Sequence, residues 1–285
     1  MRYSTSIKFL GNAVLAVSVF AAAGLAQVPY KGSEAPAATT RAPRYHGPMK
    51  LHQAHDNGTV DSENWSGFAV TGTSFTKAFA SWVVPTANCS VTPGTRTSPT
   101  YASFWVGIDG YSSSTVEQTG TDSDCDGTTP TYYAWYEFYP AASIDISTLT
   151  VAPGNKMEAE IVYDSGTDFT ITIKNATTGK SFTKSGSVSG AERTSAEWIA
   201  ESPCCLRSGA FLPLADFGTV TFGEDTTSIK GTNSATDSTT SGVIGAFPAA
   251  DIFSINMVTS GGAAEATTGS LSSDGSSFPV TWDSE

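Results

Sequence analysis

From about residue 64 to the C-terminus, the chain alternates apolar and polar residues in short runs and has hardly any helical periodicity. Gly, Ser, Thr, Asn and Asp separate the runs, as is typical of turns between strands. Examples are FASWVV at 79–84, KMEAEIVY at 156–163, FTITIK at 169–174 and GTVTF at 218–222. Two stacked antiparallel sheets bury the apolar face of each such strand. The pattern predicts an all-β domain, a β-sandwich of two large antiparallel sheets of the concanavalin-like or jelly-roll type. It also predicts the last strands at 243–247, 252–259 and 278–282, and a long surface excursion in the polar stretch 226–241.

A hairpin is predicted where two of these runs meet. Residues 104–109 alternate strictly, so odd-numbered and even-numbered side chains lie on opposite faces. Gly110 and the serines at 112–114 supply a turn, and residues 115–119 return as the second strand. The returning strand places the neutral amide of Gln118 close to an acid-rich rim.

The tetrapeptide DSGT at 164–167 matches the active-site loop of pepsin-like aspartic peptidases. It lies between the KMEAEIVY and FTITIK runs, where a hairpin needs turn residues. An aspartic dyad needs two carboxylates, and the sequence has no second loop of this kind. We therefore predict a turn here and no aspartic dyad.

Residues 1–26 have the three parts of a secretory signal peptide. Arg2 and Lys8 precede an apolar run at 13–23, and small residues follow at the expected cleavage site. This predicts a secreted, extracellular protein. No later run approaches the length of about 18 apolar residues that crosses a bilayer, so we expect no membrane segment.

Charge divides the rest of the chain in two. Residues 27–59 are rich in Pro, Ala and polar residues and are predicted to form a pro-segment or linker, while residues 60–285 form the sandwich domain. The chain has 15 basic and 27 acidic residues, of which six basic and two acidic residues precede residue 60. The domain therefore has nine basic and 25 acidic residues, a formal charge of −16. This suggests that the basic leader is held over an acidic cleft by charge attraction and is released when the carboxylates of the cleft are protonated in acid. The alternative is that the leader is a solvated tail. The negative domain disfavours nucleic-acid binding.

The histidines restrict the available chemistry. All three lie in the predicted leader: His46, His52 and His55. A mature domain without the leader has no imidazole for Ser-His-Asp or Cys-His catalysis or for a His-ligated zinc site. We expect catalysis by carboxyl, amide or hydroxyl groups, with no metal and no cofactor.

Four cysteines fit an oxidising compartment and allow three disulfide pairings. A bridge between the adjacent Cys204 and Cys205 would be strained. We therefore favour Cys89 or Cys125 pairing with one of those two.

Two strands combine aromatic rings with carboxyl groups. In residues 131–139, Trp135, Glu137 and Tyr139 share one face. In residues 195–201, Glu197 and Glu201 share a face. Because an unpaired buried carboxylate is costly, we expect this face to line a cleft or to be exposed. Such faces predict a concave groove for an extended polymer.

Six motifs in order along the chain carry a resemblance to the glutamic peptidases, or eqolisins, which are secreted, acid-acting endopeptidases. They are NWSGFAV at 64–70, FWVGIDG at 104–110, VEQTGTD at 116–122, YAWYEFYP at 133–140, NATTGK at 175–180 and AEWIAE at 196–201. The resemblance implies a sandwich of two seven-stranded antiparallel sheets, a pro-segment and resistance to pepstatin.

The family's catalytic pair, a Gln and a Glu, falls on Gln118 and Glu201. Other positions that the resemblance places in the cleft or behind the pair are Trp65, Trp105, Asp109, Asp122, Trp135 and Glu137. Asp109 and Asp122 are expected to hold Gln118 and water in place, with ordinary rim acids as the alternative.

The residue types suit acid catalysis. Ionised Glu201, with a carboxyl pKa near the ordinary value of about 4, would take a proton from the attacking water and return it to the leaving amine. Gln118 would donate to the developing oxyanion at any pH, because an amide does not titrate.

The expected partners are protein and peptide substrates and the chain's own pro-segment as an inhibitor, and the expected state is a monomer. The alternative is a secreted carbohydrate-binding or glycoside-hydrolysing sandwich. Glu197 and Glu201 would lie about 13 Å apart along one strand, which suits neither glycosidase geometry. A secreted structural or adhesive domain would explain the composition but not the ordered motifs.

Overall fold

The structure, a computed structural model, describes residues 44–92, 94, 99–204, 210–223 and 233–285. The strands are β1 (Leu51–Ala54), β2 (Thr59–Ser62), β3 (Trp65–Thr71), β4 (Lys77–Val83), β5 (Ser103–Ile108), β6 (Val116–Asp126), β7 (Thr129–Tyr139), β8 (Ile144–Asp145), β9 (Lys156–Ser165), β10 (Asp168–Asn175), β11 (Lys180–Ser187), β12 (Ser195–Glu201), β13 (Thr219–Phe222), β14 (Ser234–Thr236), β15 (Ser241–Val243), β16 (Ile252–Val258), β17 (Ala264–Thr268) and β18 (Phe278–Trp282). Two short 3-10 turns lie at Ile244–Ala246 and Ala249–Asp251. No helix within the described residues is long and apolar enough to cross a membrane.

The strands form two layers that are joined at one side. The first layer runs β1–β2–β16–β3–β12–β5–β6–β7–β8. The second contains β11–β10–β9–β4, continued by β14–β15 and by β13–β18–β17, and β17 pairs back onto β16. Among these pairings β2 with β16 is parallel and the rest are antiparallel.

The main core lies between the layers and confirms the β-sandwich prediction. It contains the apolar faces of β3, β5 and β12 on one side and those of β4, β9 and β10 on the other. Indole groups also tie the layers together: Trp82 on β4 donates to Thr121 at 2.9 Å, and Trp198 on β12 donates to the Phe79 carbonyl at 2.7 Å. Each of these two buried indole N–H groups therefore has the partner that burial demands.

The outer face of the first layer carries a second apolar cluster. Three tryptophans from three different strands, Trp65, Trp105 and Trp135, are fully buried in it with Ile199. Because successive side chains of a strand alternate between faces, the same strands contribute to both clusters. The candidate site lies on this outer face.

Most predicted strands are confirmed at the expected positions, including the hairpin of β5 and β6 and the turn at DSGT between β9 and β10. Two predictions near the C-terminus are wrong. The strand expected at 243–247 is a 3-10 turn after β15, because the backbone turns at Ile244 to bury its side chain. The polar stretch 226–241, expected as a surface excursion, contains β14, which pairs with the edge of β4; residues 224–232 lie outside the described residues.

The favoured disulfide pairing is also wrong. Cys89 and Cys125 bond to each other, with their Cα atoms 5.4 Å apart. Cys125 near the end of β6 lies beside Thr100, and the Thr100 hydroxyl donates to the carbonyl of Thr92, which brings the segment of Cys89 to the same place. Cys205 lies outside the described residues.

Candidate active site

Strand register sets the frame of the site. Gly107, Gln118 and Glu137 lie in one row across β5, β6 and β7, and Trp105, Gly120 and Trp135 form the next row. A Cβ at Gly120 would overlap the Phe104 carbonyl oxygen and the Trp105 Cβ, so glycine is required where β6 passes β5 at this row. The outer face is thus built from large rings over glycines, with polar groups between them.

Gln118 is fully buried, and its amide is oriented by Glu137. Its Nε2 donates to Glu137 Oε2 at 3.0 Å and also donates to the backbone carbonyl oxygen of His46. The same Glu137 oxygen accepts the His46 backbone N–H at 2.9 Å. Gln118 and Glu137 therefore bind both sides of one residue of the N-terminal segment.

Glu201 ends β12, next to Ser103 of β5 and Trp65 of β3, and is fully buried. Its Oε2 accepts from Trp105 Nε1 at 2.8 Å and lies 3.1 Å from His46 Nδ1. Trp65 packs edge-on against Trp105, with ring centroids 4.9 Å apart. Glu201 and Gln118 are therefore brought together through their contacts with the same residue, His46.

His46 and Arg44 are the functional residues that the sequence reasoning missed. The His46 imidazole stacks on Trp135, with centroids 3.7 Å apart and planes 3° from parallel. Arg44 forms ion pairs with Asp122 at 2.9 Å and Asp124 at 2.7 Å. The excess of basic residues in the leader signals an interaction of this kind, but nothing in the sequence indicates which residues make it.

Asp122 supports the aromatic wall of the site. Its Oδ1 accepts from Trp135 Nε1 at 2.6 Å, and its Oδ2 accepts from Tyr133 at 2.5 Å as well as from Arg44. Arg44 also lies 4.2 Å from the ring centroid of Tyr101 and 5.4 Å from that of Tyr133. The guanidinium is thus enclosed by two carboxylates and two ring faces, an arrangement that favours a planar cation.

Burial changes the protonation of Glu201, Glu137 and His46. Loss of solvent raises the pKa of Glu201 well above its ordinary value, with a further contribution from Glu137, and the same loss raises the pKa of Glu137. Burial, and to a lesser degree Arg44, lowers the pKa of His46 well below 6.5. The Glu201–His46 contact is therefore a neutral carboxyl group against a neutral imidazole, not an ion pair. The expectation of a near-normal pKa for Glu201 is wrong for this covered state, because the N-terminal segment excludes water.

Asp109 lies outside this group. It is fully buried and holds the loop before β12: its Oδ2 accepts from the backbone N–H groups of Glu192 at 2.8 Å and Arg193 at 2.7 Å, and its Oδ1 accepts from that of Thr194 at 2.9 Å. The structure thus brings together seven of the eight residues named from the sequence, and Asp109 stabilises the approach to β12 instead.

The described residues contain no group of three or more His, Cys, Asp and Glu side chains arranged to hold a metal ion. The polar groups of the site are carboxyl and amide groups that bind one another, two indoles and a stretch of backbone. Such a set can position a peptide carbonyl and exchange protons with it.

Comparison with known proteins identifies the class. The sequence profile described as the Peptidase A4 family matches residues 63–274, and the chain belongs to this family. The resemblance to the glutamic peptidases is thereby confirmed, and the assignment favours a peptidase over the carbohydrate-directed alternative.

The individual relatives agree with this. The chain is 35% identical over 187 residues to aspergillopepsin-2 of Aspergillus niger, covering 58% of this chain and 65% of the relative. It is 36% identical over 167 residues to scytalidopepsin B of Scytalidium lignicola, covering 56% and 60%. The matches therefore span less than two thirds of either relative. A crystal structure of scytalido-glutamic peptidase with a transition state analog inhibitor is 29% identical, with a TM-score of 0.62 over 78% of this chain and 98% of that one.

Proposed function

We propose that the protein is a secreted acid endopeptidase in which Glu201 is the general base and acid and Gln118 stabilises the oxyanion. One observation carries the proposal: the Gln118 amide donates to a peptide carbonyl oxygen, that of His46, beside the Glu201 carboxyl group. An amide donor on a carbonyl and a carboxyl group next to it are the two parts that peptide hydrolysis needs. Binding of a transition state analog by a solved relative supports the same use of this surface.

Cleavage of another chain requires water and substrate in place of the N-terminal segment. When water enters, the desolvation that raises the pKa of Glu201 is relieved, and the carboxyl group ionises. Glu201 then accepts a proton from the attacking water and returns it to the leaving amine. Glu137 accepts from the Gln118 amide and so holds its N–H groups toward the carbonyl oxygen.

The segment around His46 acts as an inhibitor. It occupies both catalytic groups at once, through the His46 carbonyl on Gln118 and the His46 ring on Glu201. Arg44 adds charge complementarity through its two aspartate partners. The signal peptide, secretion and insensitivity to pepstatin belong to the same proposal; residues 1–43, where the signal peptide is predicted, lie outside the described residues. The enzyme works as a monomer without a cofactor.

The effect of pH on this inhibition follows from the pKa directions. The lowered pKa of His46 means that the released segment gains a proton below about pH 6.5, which favours release. The raised pKa values of Glu137 and Glu201 give the opposite pH dependence. Above about pH 4.5 these groups ionise on release, so release is favoured as the pH rises. Below about pH 4.5 both carboxyl groups are neutral in the bound and the released state and no longer affect binding, so protonation of His46 alone weakens binding, by up to about tenfold per pH unit.

The test of inhibition uses a synthetic peptide with the sequence of residues 27–46. Its inhibition of the enzyme freed of its own leader should weaken between about pH 4.5 and pH 3. A peptide with His46→Phe can still stack on Trp135 but has no proton to gain, so the part of this pH dependence that His46 causes should disappear. Equal weakening of both peptides would exclude His46 as the titrating group.

The test of the activity is digestion of a denatured protein at about pH 3 and about pH 7, with and without pepstatin. We expect cleavage in acid alone, unaffected by pepstatin, and none by a folded Glu201→Gln variant. Cleavage at neutral pH, inhibition by pepstatin, or activity of that variant would each contradict the proposal.

A further inference from the structure

The residues around His46 cross the site as a bound peptide does. On the N-terminal side, the backbone of Tyr45 exchanges hydrogen bonds with that of Cys204 at 3.1 and 2.9 Å, an antiparallel bridge just beyond β12. On the C-terminal side, the Met49 N–H donates to the Gly110 carbonyl at 2.9 Å. Asn64 then binds the next residues, accepting the Lys50 N–H at 2.8 Å and donating to the Pro48 carbonyl at 3.3 Å. The segment is therefore bound through its backbone on both sides of His46, the residue that contacts Gln118 and Glu201.

The register of this segment selects one peptide bond. The backbone N–H of His46 binds Glu137, and the carbonyl of the same residue accepts from Gln118. Because the oxyanion donor contacts the carbonyl of the bond to be cleaved, the bond aligned with the catalytic group is the one that joins His46 to Gly47. Glu201 lies beside the same residue, with its Oε2 3.1 Å from His46 Nδ1.

We propose that the peptide bond between His46 and Gly47 is the enzyme's own cleavage site, so that the precursor removes its N-terminal leader in an intramolecular reaction. The proposal rests on the peptidase function and adds the bond, the register and the first residue of the mature chain.

The reaction uses the groups already in contact. A water molecule that enters beside Glu201 relieves the desolvation of this carboxyl group, whose proton passes to solvent and leaves the carboxylate ionised. That carboxylate accepts a proton from water as the water oxygen adds to the His46 carbonyl carbon, and Gln118 donates to the oxygen that becomes negative. The C–N bond breaks, and Glu201 passes its proton to the Gly47 nitrogen. The products are a His46 carboxyl group and a free Gly47 amine.

The fold separates what leaves from what stays. Residues after the cleaved bond remain attached, because β1 pairs with β2 and β2 pairs in parallel with β16. The part that leaves includes His46, which covers Glu201, and Arg44, which binds Asp122 and Asp124. Cleavage at this bond therefore uncovers the catalytic group without breaking the sheet. The cleaved bond precedes the boundary at residue 59 that composition suggested.

Gly47 offers a matched pair of variants. A Cβ added at Gly47 would lie 3.5 Å from the Tyr139 ring, an ordinary van der Waals distance, so Gly47→Ala should fit without disturbing the register. Gly47→Pro replaces the leaving N–H and fixes the backbone angle at the bond to be cleaved. The pair changes the reacting bond while leaving Gln118, Glu137 and Glu201 as they are.

The experiment follows the full-length precursor after transfer to about pH 3, by intact mass and N-terminal sequencing. We expect a mature chain that begins at Gly47, formed at a rate constant that does not change over an about 100-fold range of protein concentration, as for a unimolecular step. Gly47→Ala should cleave at this bond within about threefold of the wild-type rate, and Gly47→Pro at least about 100-fold more slowly. Glu201→Gln should remain intact.

The outcomes separate this inference from the peptidase function. A parallel digestion of a denatured protein reports activity on other chains. If that substrate is cleaved but the new N-terminus is not Gly47, or its formation accelerates with protein concentration, the inference is wrong and the peptidase function stands. If neither the substrate nor the leader is cleaved, both are wrong. Release of the leader from the Gly47→Pro variant at the wild-type rate would also overturn the assignment of the bond.

Discussion

Glu197 and Glu201 lie four residues apart on the same face of β12, and both are fully buried, yet their surroundings differ. Glu201 accepts a hydrogen bond from Trp105 and contacts His46. The oxygens of Glu197 lie near Ser195 and the backbone of Tyr111 but make no hydrogen bond of normal geometry within the described residues. Glu201 thus has an indole donor and a peptide segment beside it, whereas Glu197 is enclosed without such partners.

Each glutamate belongs to a group of acids. We call Glu201, Glu137 and Asp122, with Gln118, the catalytic group, after the function proposed for it, and Glu197, Glu117 and Asp109 the closed acid group. In the closed acid group, burial is the main cause that raises the pKa of Glu117 to about 9 and that of Glu197 well above its ordinary value, and neighbouring acids add to both. A buried, neutral glutamate is therefore not by itself a sign of catalysis; a bound donor and a neighbouring peptide carbonyl distinguish Glu201 from Glu197.

The largest expected difference between the groups is in activity. Glu201→Gln should lower kcat/KM by at least about 10³-fold, because it removes the proton acceptor and donor of the reaction. Glu197→Gln replaces a neutral acid with a neutral amide of the same shape and should leave kcat/KM within about threefold of the wild-type value. Both are measured on a peptide substrate in acid, with circular dichroism to verify folding. Equal loss in the two variants would remove the distinction between the groups.

Within the catalytic group, Gln118 should contribute less than Glu201. Gln118→Ala removes one oxyanion donor and should lower kcat by about 10²- to 10³-fold, with little change in KM. Steady-state kinetics at a fixed acid pH would measure this. A Gln118→Ala enzyme with a raised KM and a normal kcat would mean that the amide binds substrate and does not act in the transition state.

In the closed acid group the expected effect is on stability and depends on pH. Because the pKa of Glu117 rises from 4.5 to about 9 on folding, its contribution to stability is fully present below about pH 4.5 and is lost as the pH rises toward 9. At pH 7 the loss is about 3 kcal/mol for this one group. Glu117→Gln cannot ionise, so it should raise the free energy of unfolding at pH 7 by up to that amount and change it little at pH 4.

Chemical denaturation of wild-type protein and Glu117→Gln at the two pH values measures this difference. The comparison between variants cancels the general repulsion of a chain with a formal charge of −12. A gain of the same size at both pH values would indicate improved packing rather than relief of ionisation.

The sequence predicted the strands that carry the catalytic group. Alternation placed β5, β6, β7 and β12, and the family motifs then selected Gln118 and Glu201 from many similar residues. Local alternation reports one strand at a time, so it identifies which side chains share a face but not which strands are neighbours. The row that joins Gly107, Gln118 and Glu137 depends on pairing between strands and became visible in the structure.

Two properties of the site could not be predicted from the sequence, for physical reasons. An unpaired carboxyl group is costly to bury when it is charged, whereas burial raises the pKa of Glu197 well above its ordinary value and keeps the group neutral. The position of His46 depends on a contact with Glu201, 155 residues away in sequence, and local pattern carries no information about such contacts. The same applies to the Cys89–Cys125 disulfide, which also joins segments distant in sequence.

The smallest expected effect distinguishes the two aspartates that the sequence assigned the same role. Asp109 has a positive φ of 71°, a conformation that asparagine also tolerates, so Asp109→Asn changes the side chain without straining the backbone. An asparagine cannot accept from the three backbone N–H groups that the carboxylate binds, because one of its two polar atoms is itself a donor. We expect a loss of about 2 kcal/mol in the free energy of unfolding with kcat unchanged.

Asp122→Asn provides the matched control in the catalytic group. Its amide oxygen can still accept from Trp135, and its N–H can donate to Tyr133, so the loss of stability should be smaller than for Asp109→Asn. The ion pair with Arg44 is lost, however, and inhibition by the leader peptide should weaken by about threefold to tenfold, the effect of one partly exposed ion pair. Denaturation curves and inhibition constants for the two variants test both parts. The opposite result would be that Asp109→Asn weakens leader binding and Asp122→Asn lowers stability more. The roles assigned to the two aspartates would then be exchanged, and the loop that Asp109 holds would belong to the substrate site.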